Sequence, residues 1–341
     1  MRIPVCLALA LMLLLASFSG CIFQPKVPNG DGNNNGWIPQ PPERSYLFNS
    51  TNAYNFIADQ CNFGYRIPGT ENNTECAQWI FDKLEEYNFT AEWQNFTGNA
   101  GYLNGTALHN VIGTKKGTTN ATLVLAAHYD TRPWADMEKA SVPVMGANDG
   151  GSGVAVLLEL ARLLASQNFT ITIKMMFFDA EDSGNHDVGL DWCLGSKYVA
   201  SLIAPEEIAN INKCGFVLLD MVGDKNLSLP KERISNESLQ NIIWNIAYLA
   251  NITQFKNATG WSITDDHVPF KNAGVKAIDI IHTSTPPAGP VFPATWHTTR
   301  DTIENISKES LGAVGMVVER TIYMLDGLNY LSIIFGGMSF Q

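Results

Sequence analysis

Residues 123–153 read LVLAAHYDTRPWADMEKASVPVMGANDGGSG, and the fold turns on how this stretch is read. It opens as an apolar run, Leu123 to Ala127, and breaks into His128-Tyr129-Asp130. It closes on Asn148-Asp149, then Gly150, Gly151 and Gly153, where the apolar segment GVAVLLELARLL begins. A buried strand ending in His-x-Asp, then a carboxylate on a Gly-rich turn before an apolar helix, is how an α/β protein builds a metal site. Strand ends are rigid, and ligands gather at the carboxyl edge of such a sheet. The competing reading is a strand-end histidine followed by an ordinary turn, and the other strands decide between them.

Three further apolar runs follow. ITIKMMFFDAED (171–182) and CGFVLLDMVGD (214–224) each end in carboxylates, and GVKAIDIIH (274–282) is a fourth strand. Helical spacing marks 50–60 and 71–87, as in Ala77, Ile80, Phe81 and Leu84, and alternation predicts strands near 90–96 and 107–113. Further helices are expected at 152–165, from about Cys193, at 237–250 and at 307–326, with a Gly/Asp-rich loop at 183–192. The closing LNYLSIIFGGMSF (328–340) is too short for a bilayer span and reads as a last strand or packed tail. Strands alternating with helices predict a three-layer α/β fold with a largely parallel sheet, in one domain over 45–341.

The rest of the chain bounds its setting. Lys and Arg total 22 against 33 Asp and Glu, a net charge of −11 with no dense basic run, which argues against nucleic acid as a partner. Arg2, the apolar run Cys6–Phe18 and Ser19-Gly20-Cys21 read as a signal peptide over 1–21. Its Ser-Gly-Cys ending resembles a lipoprotein processing site with Cys21 as the lipidated residue, and a retained membrane anchor is the alternative. Residues 22–44, rich in Pro, Gly and Asn, read as a flexible tether. The catalytic part is therefore expected outside the cytoplasm. Asn-x-Ser/Thr sequons recur from Asn49 through Asn120 and Asn236 to Asn305 and predict glycosylated loops. Cys61, Cys76, Cys193 and Cys214 remain after processing. In an exported protein they predict two disulfides, with Cys61–Cys76 and Cys193–Cys214 the simplest of the open pairings.

Three strands thus end in candidate ligands: His128, Glu181-Asp182 and Asp220. Asp149 stands on the turn after the first, and His297 in Thr295-Trp296-His297-Thr298 follows the fourth strand. Two histidines and three carboxylates suit zinc, above all a pair of ions bridged by one carboxylate. With its motifs in view, the sequence resembles the zinc exopeptidase family of co-catalytic aminopeptidases and glutaminyl-peptide cyclotransferases. The resemblance rests on His128-Tyr129-Asp130, Gly146-Ala147-Asn148-Asp149-Gly150, Phe177 to Asp182, Leu218-Leu219-Asp220, Asp265-Asp266-His267 and Trp296-His297-Thr298. It implies a three-layer α/β/α sandwich around a mixed, mostly parallel sheet. It also implies one zinc on Asp149, Asp182 and His297, and in two-metal members a second on His128 and Asp220 bridged through Asp149. Asp130 would orient His128, and Glu181 takes the general acid/base position. The family often has Glu-Glu where this chain has Glu181-Asp182.

Two reactions on peptide or protein N-termini follow from that resemblance. In a glutaminyl cyclase, zinc polarises the γ-carbonyl of an N-terminal Gln while Glu181 moves a proton from the α-amine to departing ammonia. Asp265-Asp266-His267, with its doubled acid, and Trp296 beside His297 lean this way, with Ile263 as a further pocket residue. In an aminopeptidase, Glu181 activates water at the zinc against the first peptide bond. A catalytically silent ectodomain is the third reading, and an intact Glu181 speaks against it. Arg132, Trp134 and Asp136 are read as shaping the rim or holding a loop, and His186 as a loop residue near the site. His109 and His282 are read as structural, and His267 as hydrogen-bonded to the acidic pair.

Overall fold

Every residue of β3 (Thr122–His128) is buried, and its side chains alternate between two cores. Leu123, Leu125 and Ala127 enter one core, Val124 and Ala126 the other. β4 (Thr172–Phe178) and β5 (Gly215–Asp220) divide likewise, with Met175, Phe177, Val217 and Leu219 on one face and Met176, Phe178, Phe216 and Leu218 on the other. A strand covered on both faces needs no polar alternation, which is why these runs are continuously apolar. The computed structural model describes residues 41–42, 44–138, 141–185 and 191–334. The expected leader and nearly all of the tether lie outside them.

The sheet runs β1 (Thr90–Thr97), β2 (Ala107–Lys115), β4, β3, β5 and β8 (Ala277–Ile281). β4, β3, β5 and β8 are mutually parallel, while β1 and β2 add an antiparallel edge. One face is covered by α1 (Ser50–Asn62), α2 (Glu71–Glu86), α3 (Gly151–Leu164), α6 (Glu237–Leu249) and α8 (Lys308–Ile334). The other carries α4 (Leu194–Leu202), α5 (Pro205–Ile211) and α7 (His267–Asn272) through Val199, Ile211 and Phe270. This is the expected three-layer α/β/α sandwich with a mixed, mostly parallel sheet. Asn49, Thr70 and Asn236 start α1, α2 and α6 by accepting hydrogen bonds from amides of the first turn. No described helix is long and apolar enough to cross a membrane.

Gly153 lets the first turn of α3 lie directly on β5. A Cβ there would meet the Leu219 carbonyl oxygen at 2.2 Å and the Ala127 side chain at 2.9 Å. Gly153→Ala is therefore expected to destabilise the protein by about 1–3 kcal/mol, read as a lowered urea midpoint with unchanged m-value.

The structure corrects two expectations and extends the element list. The tail from Leu328 does not form a strand: α8 continues to Ile334, with no proline to stop it, and residues 335–341 lie outside the described set. The expected disulfides are absent, and all four described cysteines are free thiols. Cys214 precedes β5 at the amino edge of the sheet, whereas Cys193 lies against Glu181 at the carboxyl edge. Six residues of strand, about 20 Å, separate those edges, far beyond disulfide reach. Cys76 is sealed in the core, where burial pushes its thiol up to about 12, and Cys61 is likewise raised by burial. A core of this size needs no covalent staple. Short α5, α7 and a two-stranded parallel ribbon of β6 (Leu229–Lys231) and β7 (Phe255–Thr259) were not anticipated by periodicity.

Candidate metal centre

The parallel strands bring their carboxyl ends to one edge, and there the five predicted ligands converge. His128 ends β3, Asp220 ends β5, and Asp182 follows the end of β4 by four residues. Asp149 sits on the turn into α3, one oxygen toward each histidine. Its Oδ1 lies 3.1 Å from His128 Nε2 and its Oδ2 3.9 Å from His297 Nε2. His128 Nε2 is also 3.3 Å from Asp220 Oδ1, and His297 Nε2 is 3.1 Å from Asp182 Oδ1. Two buried triads result, His128–Asp149–Asp220 and Asp149–Asp182–His297, each with donor atoms mutually within 4.8 Å. Donors about 2.1 Å from a tetrahedral ion lie roughly 3.4 Å apart, so both triads have the dimensions of a metal site. Asp182 Oδ2 is buried with no hydrogen-bond partner, as a carboxylate reserved for a cation would be.

Two carboxylates with no ligand position of their own hold the ligand-bearing turns. Asp130 accepts the amides of Glu181 and Asp182 at 3.0 and 3.1 Å, and its Oδ1 lies 3.4 Å from His128 Nδ1. Asp130 thus orients His128 as expected and also fixes the turn after β4. Asp301 does the same for Asn148 and Asp149, accepting their amides at 2.8 and 3.0 Å. Nothing in the sequence around Asp301 signals this, since the pairing spans 152 residues. Fully buried Arg66 braces the preceding loop by donating to the carbonyls of Tyr129, Met145 and Gly146. The backbone is strained at the same edge. Ala180, Cys193, Met221 and His297 all have positive φ, between 49° and 59°, and each is a candidate ligand or lies beside Glu181 or Asp220. Such conformations cost about 1–3 kcal/mol each and persist where surrounding structure over-determines them.

Buried charge dominates the electrostatics. Burial raises Glu181 well above its ordinary range, with the charges of Asp265, Asp266 and Asp182 adding and His128 opposing. Burial, then the charge of Asp220, lifts Asp265 to about 7, and burial raises Asp220 to about 6 despite its bond to His128. Asp149 differs: burial acts upward, but the hydrogen bond and charge of His128 bring it below its usual value. His297 is opposed by burial, yet Asp182 and Asp136 raise it to about 9. So many carboxylates in one dry site favour a bound cation.

The mouth above the triads has an acidic floor and an apolar wall. Trp296 stacks on His297 with centroids 3.6 Å apart, and Phe292 backs Trp296 at 4.3 Å. Ile263, Met221, Ile281 and Trp192 complete the wall, with Glu181 and Asp265 facing the same space. Trp296 and Ile263 thus stand where the sequence placed them, whereas Trp192 and Phe292 were missed. An aromatic in the Gly/Asp-rich loop was the one available signal for Trp192.

The remaining candidates separate cleanly. His267 does not bond the acidic pair; its ring faces Glu232 at 3.5 Å and Asp279 at 3.7 Å, because α7 turns it inward toward β8. Asp266 instead hydrogen-bonds Ser196, and its amide is accepted by Asp265 at 2.5 Å. His109 pairs with Asn95 on the β1–β2 edge, and His282 is buried just after β8. His186 lies outside the described residues.

Ligands collected from the carboxyl ends of parallel strands, a buried acid beside them and an apolar mouth define a metal-dependent α/β/α enzyme. The chain belongs to peptidase family M28, whose sequence profile matches residues 110–322. Bacteroides thetaiotaomicron glutaminyl cyclase, solved bound to N-acetylhistamine, is 36% identical over 84% of this chain and 99% of its own, with a TM-score of 0.72. A Zn-dependent exopeptidase from Parabacteroides distasonis is 34% identical over 81% of this chain and 98% of its own, also at 0.72. Among sequence relatives, glutaminyl-peptide cyclotransferase of Boiga irregularis is 26% identical over 95% of this chain and 96% of its own length.

Proposed function

We propose that this enzyme is a zinc-dependent glutaminyl cyclase acting on peptide or protein N-termini. The observation that carries the reading is the closed wall of Trp296, Phe292 and Ile263 over His297, facing Glu181 with Asp265 beside it. Such a pocket encloses one uncharged side chain at a carboxylate floor. Asp149, Asp182 and His297 supply three N/O donors and leave a coordination position open, the arrangement of a catalytic rather than structural site. When bound there, zinc supplies Lewis-acid polarisation of the side-chain carbonyl. Glu181 accepts a proton from the α-amine, whose nitrogen bonds to the side-chain amide carbon. The old C–N bond breaks, Glu181 returns the proton, and ammonia leaves the lactam behind. Asp265 holds its negative charge close enough to keep Glu181 basic. The apolar wall excludes bulk water, which would otherwise compete with the amine.

A second reading rests on the other triad. His128, Asp149 and Asp220 have the dimensions for a second ion, and a two-metal centre would favour hydrolysis of the first peptide bond. The leader over 1–21 and the sequons support placing the catalytic domain outside the cytoplasm, tethered to a membrane.

The test is to count zinc per purified chain and assay a Gln-initiated peptide, following ammonia and free amino acids together. Ammonia released one-for-one with pyroglutamate is the expected result. Release of free amino acid without pyroglutamate would transfer the enzyme to the aminopeptidase reading.

A further inference from the structure

Arg132 and Asp136 belong to neither triad, yet they tie the metal ligands to the pocket wall. The Arg132 side chain is 4% exposed. Its Nη1 donates to the Asp182 carbonyl at 3.0 Å, to the Gly184 carbonyl at 3.2 Å and to Asp182 Oδ1 at 3.3 Å. Its Nε and Nη2 fork onto the Asp136 carboxylate at 3.1 and 2.5 Å. Asp136 Oδ1 in turn lies 3.1 Å from His297 Nδ1, which turns Nε2 toward Asp149 and Asp182. On its other side the guanidinium lies 4.5 Å over the Trp192 ring, and Trp192 runs parallel to the His297 imidazole, 8° apart.

We propose that Arg132 is a positioning residue with two tasks: through Asp136 and Asp182 it sets the geometry of two metal ligands, and through Trp192 it holds the wall that meets the substrate. A planar fork is required because one group must satisfy Asp136, Asp182 and an aromatic face at once. A lysine ammonium, a point charge, reaches only part of that set. Asp136 performs the first task alone: it touches Arg132, His297 and no wall residue. The inference rests on the zinc reading above but not on which reaction the enzyme catalyses.

The test separates the tasks with Arg132→Lys and Asp136→Asn. Zinc affinity is measured on the full-length, metal-stripped protein by competition with a chelator, which needs no substrate. Both variants are expected to raise the zinc dissociation constant roughly 10–100-fold. At saturating zinc, Arg132→Lys is expected to raise KM for whichever N-terminal substrate the wild type turns over by about fivefold or more, while Asp136→Asn leaves KM near wild type. Unchanged zinc affinity in Asp136→Asn overturns the first task, and a wild-type KM in Arg132→Lys overturns the second. If Arg132→Lys does not fold, Trp192→Leu takes its place for the wall, with raised KM and wild-type zinc affinity expected and unchanged KM overturning it. A chain that binds zinc as described but releases no ammonia from a Gln peptide counts against the cyclase reading alone.

Discussion

Asp149→Ala is expected to strip the protein of its metal and lower activity by roughly three orders of magnitude or more. Asp149 is the one side chain common to both triads, with Oδ1 toward His128 and Oδ2 toward His297. Its loss leaves neither triad with three donors. Zinc measured per chain after gel filtration should fall from at least one to near zero. Thermal unfolding gives an independent check, because a ligand that binds only the folded state stabilises it by about 2.7 kcal/mol at a hundredfold excess over its dissociation constant. Added zinc should therefore raise the wild-type melting temperature and leave that of Asp149→Ala where it was. A variant that kept both zinc and its thermal response would remove Asp149 from the centre. His128→Ala offers the contrast: a single-ion enzyme should keep its zinc, and a two-ion enzyme should lose half.

Glu181→Gln should separate binding from proton transfer. The change is isosteric, and Glu181 belongs to neither ligand triad, so zinc content should match wild type. Turnover should fall about 10²–10⁴-fold, the usual worth of a positioned acid/base. The pH profile supplies the sign. A base must be deprotonated to act, so wild-type activity should climb with pH through the Glu181 titration, which burial and the neighbouring aspartates displace upward. That limb should be missing from the residual activity of Glu181→Gln. Full turnover in the variant would end both the cyclase and the aminopeptidase mechanisms.

Legibility followed the range of each signal. β3, β4 and β5 were readable because burial on both faces leaves an unbroken apolar run, and His128, Asp182 and Asp220 were readable because each stands at or just past such a run. Trp296 was readable only through its neighbour His297. By contrast, α5 and α7 span 7 and 6 residues, too short for helical periodicity to register. The disulfide expectation failed because cysteine parity says nothing about which edge of the sheet each thiol occupies. His267 failed in a similar way: its sequence neighbours are Asp265 and Asp266, but its spatial neighbours are Glu232 and Asp279.

The amino-acid sequence by itself determined the sandwich, the edge where the ligands meet and the identity of the five that meet there. Those features are encoded locally, in the period of apolar residues and in what interrupts it. Only the tertiary structure decided that Asp149 turns one oxygen to each histidine, that Asp130 and Asp301 clamp the ligand turns, and that Arg132 spans from Asp182 to Trp192. Each of these depends on distances between atoms far apart along the chain. In residues 123–153, where the reading began, Arg132 and Asp136 looked like rim or loop residues, and the folded chain places them against the ligands instead.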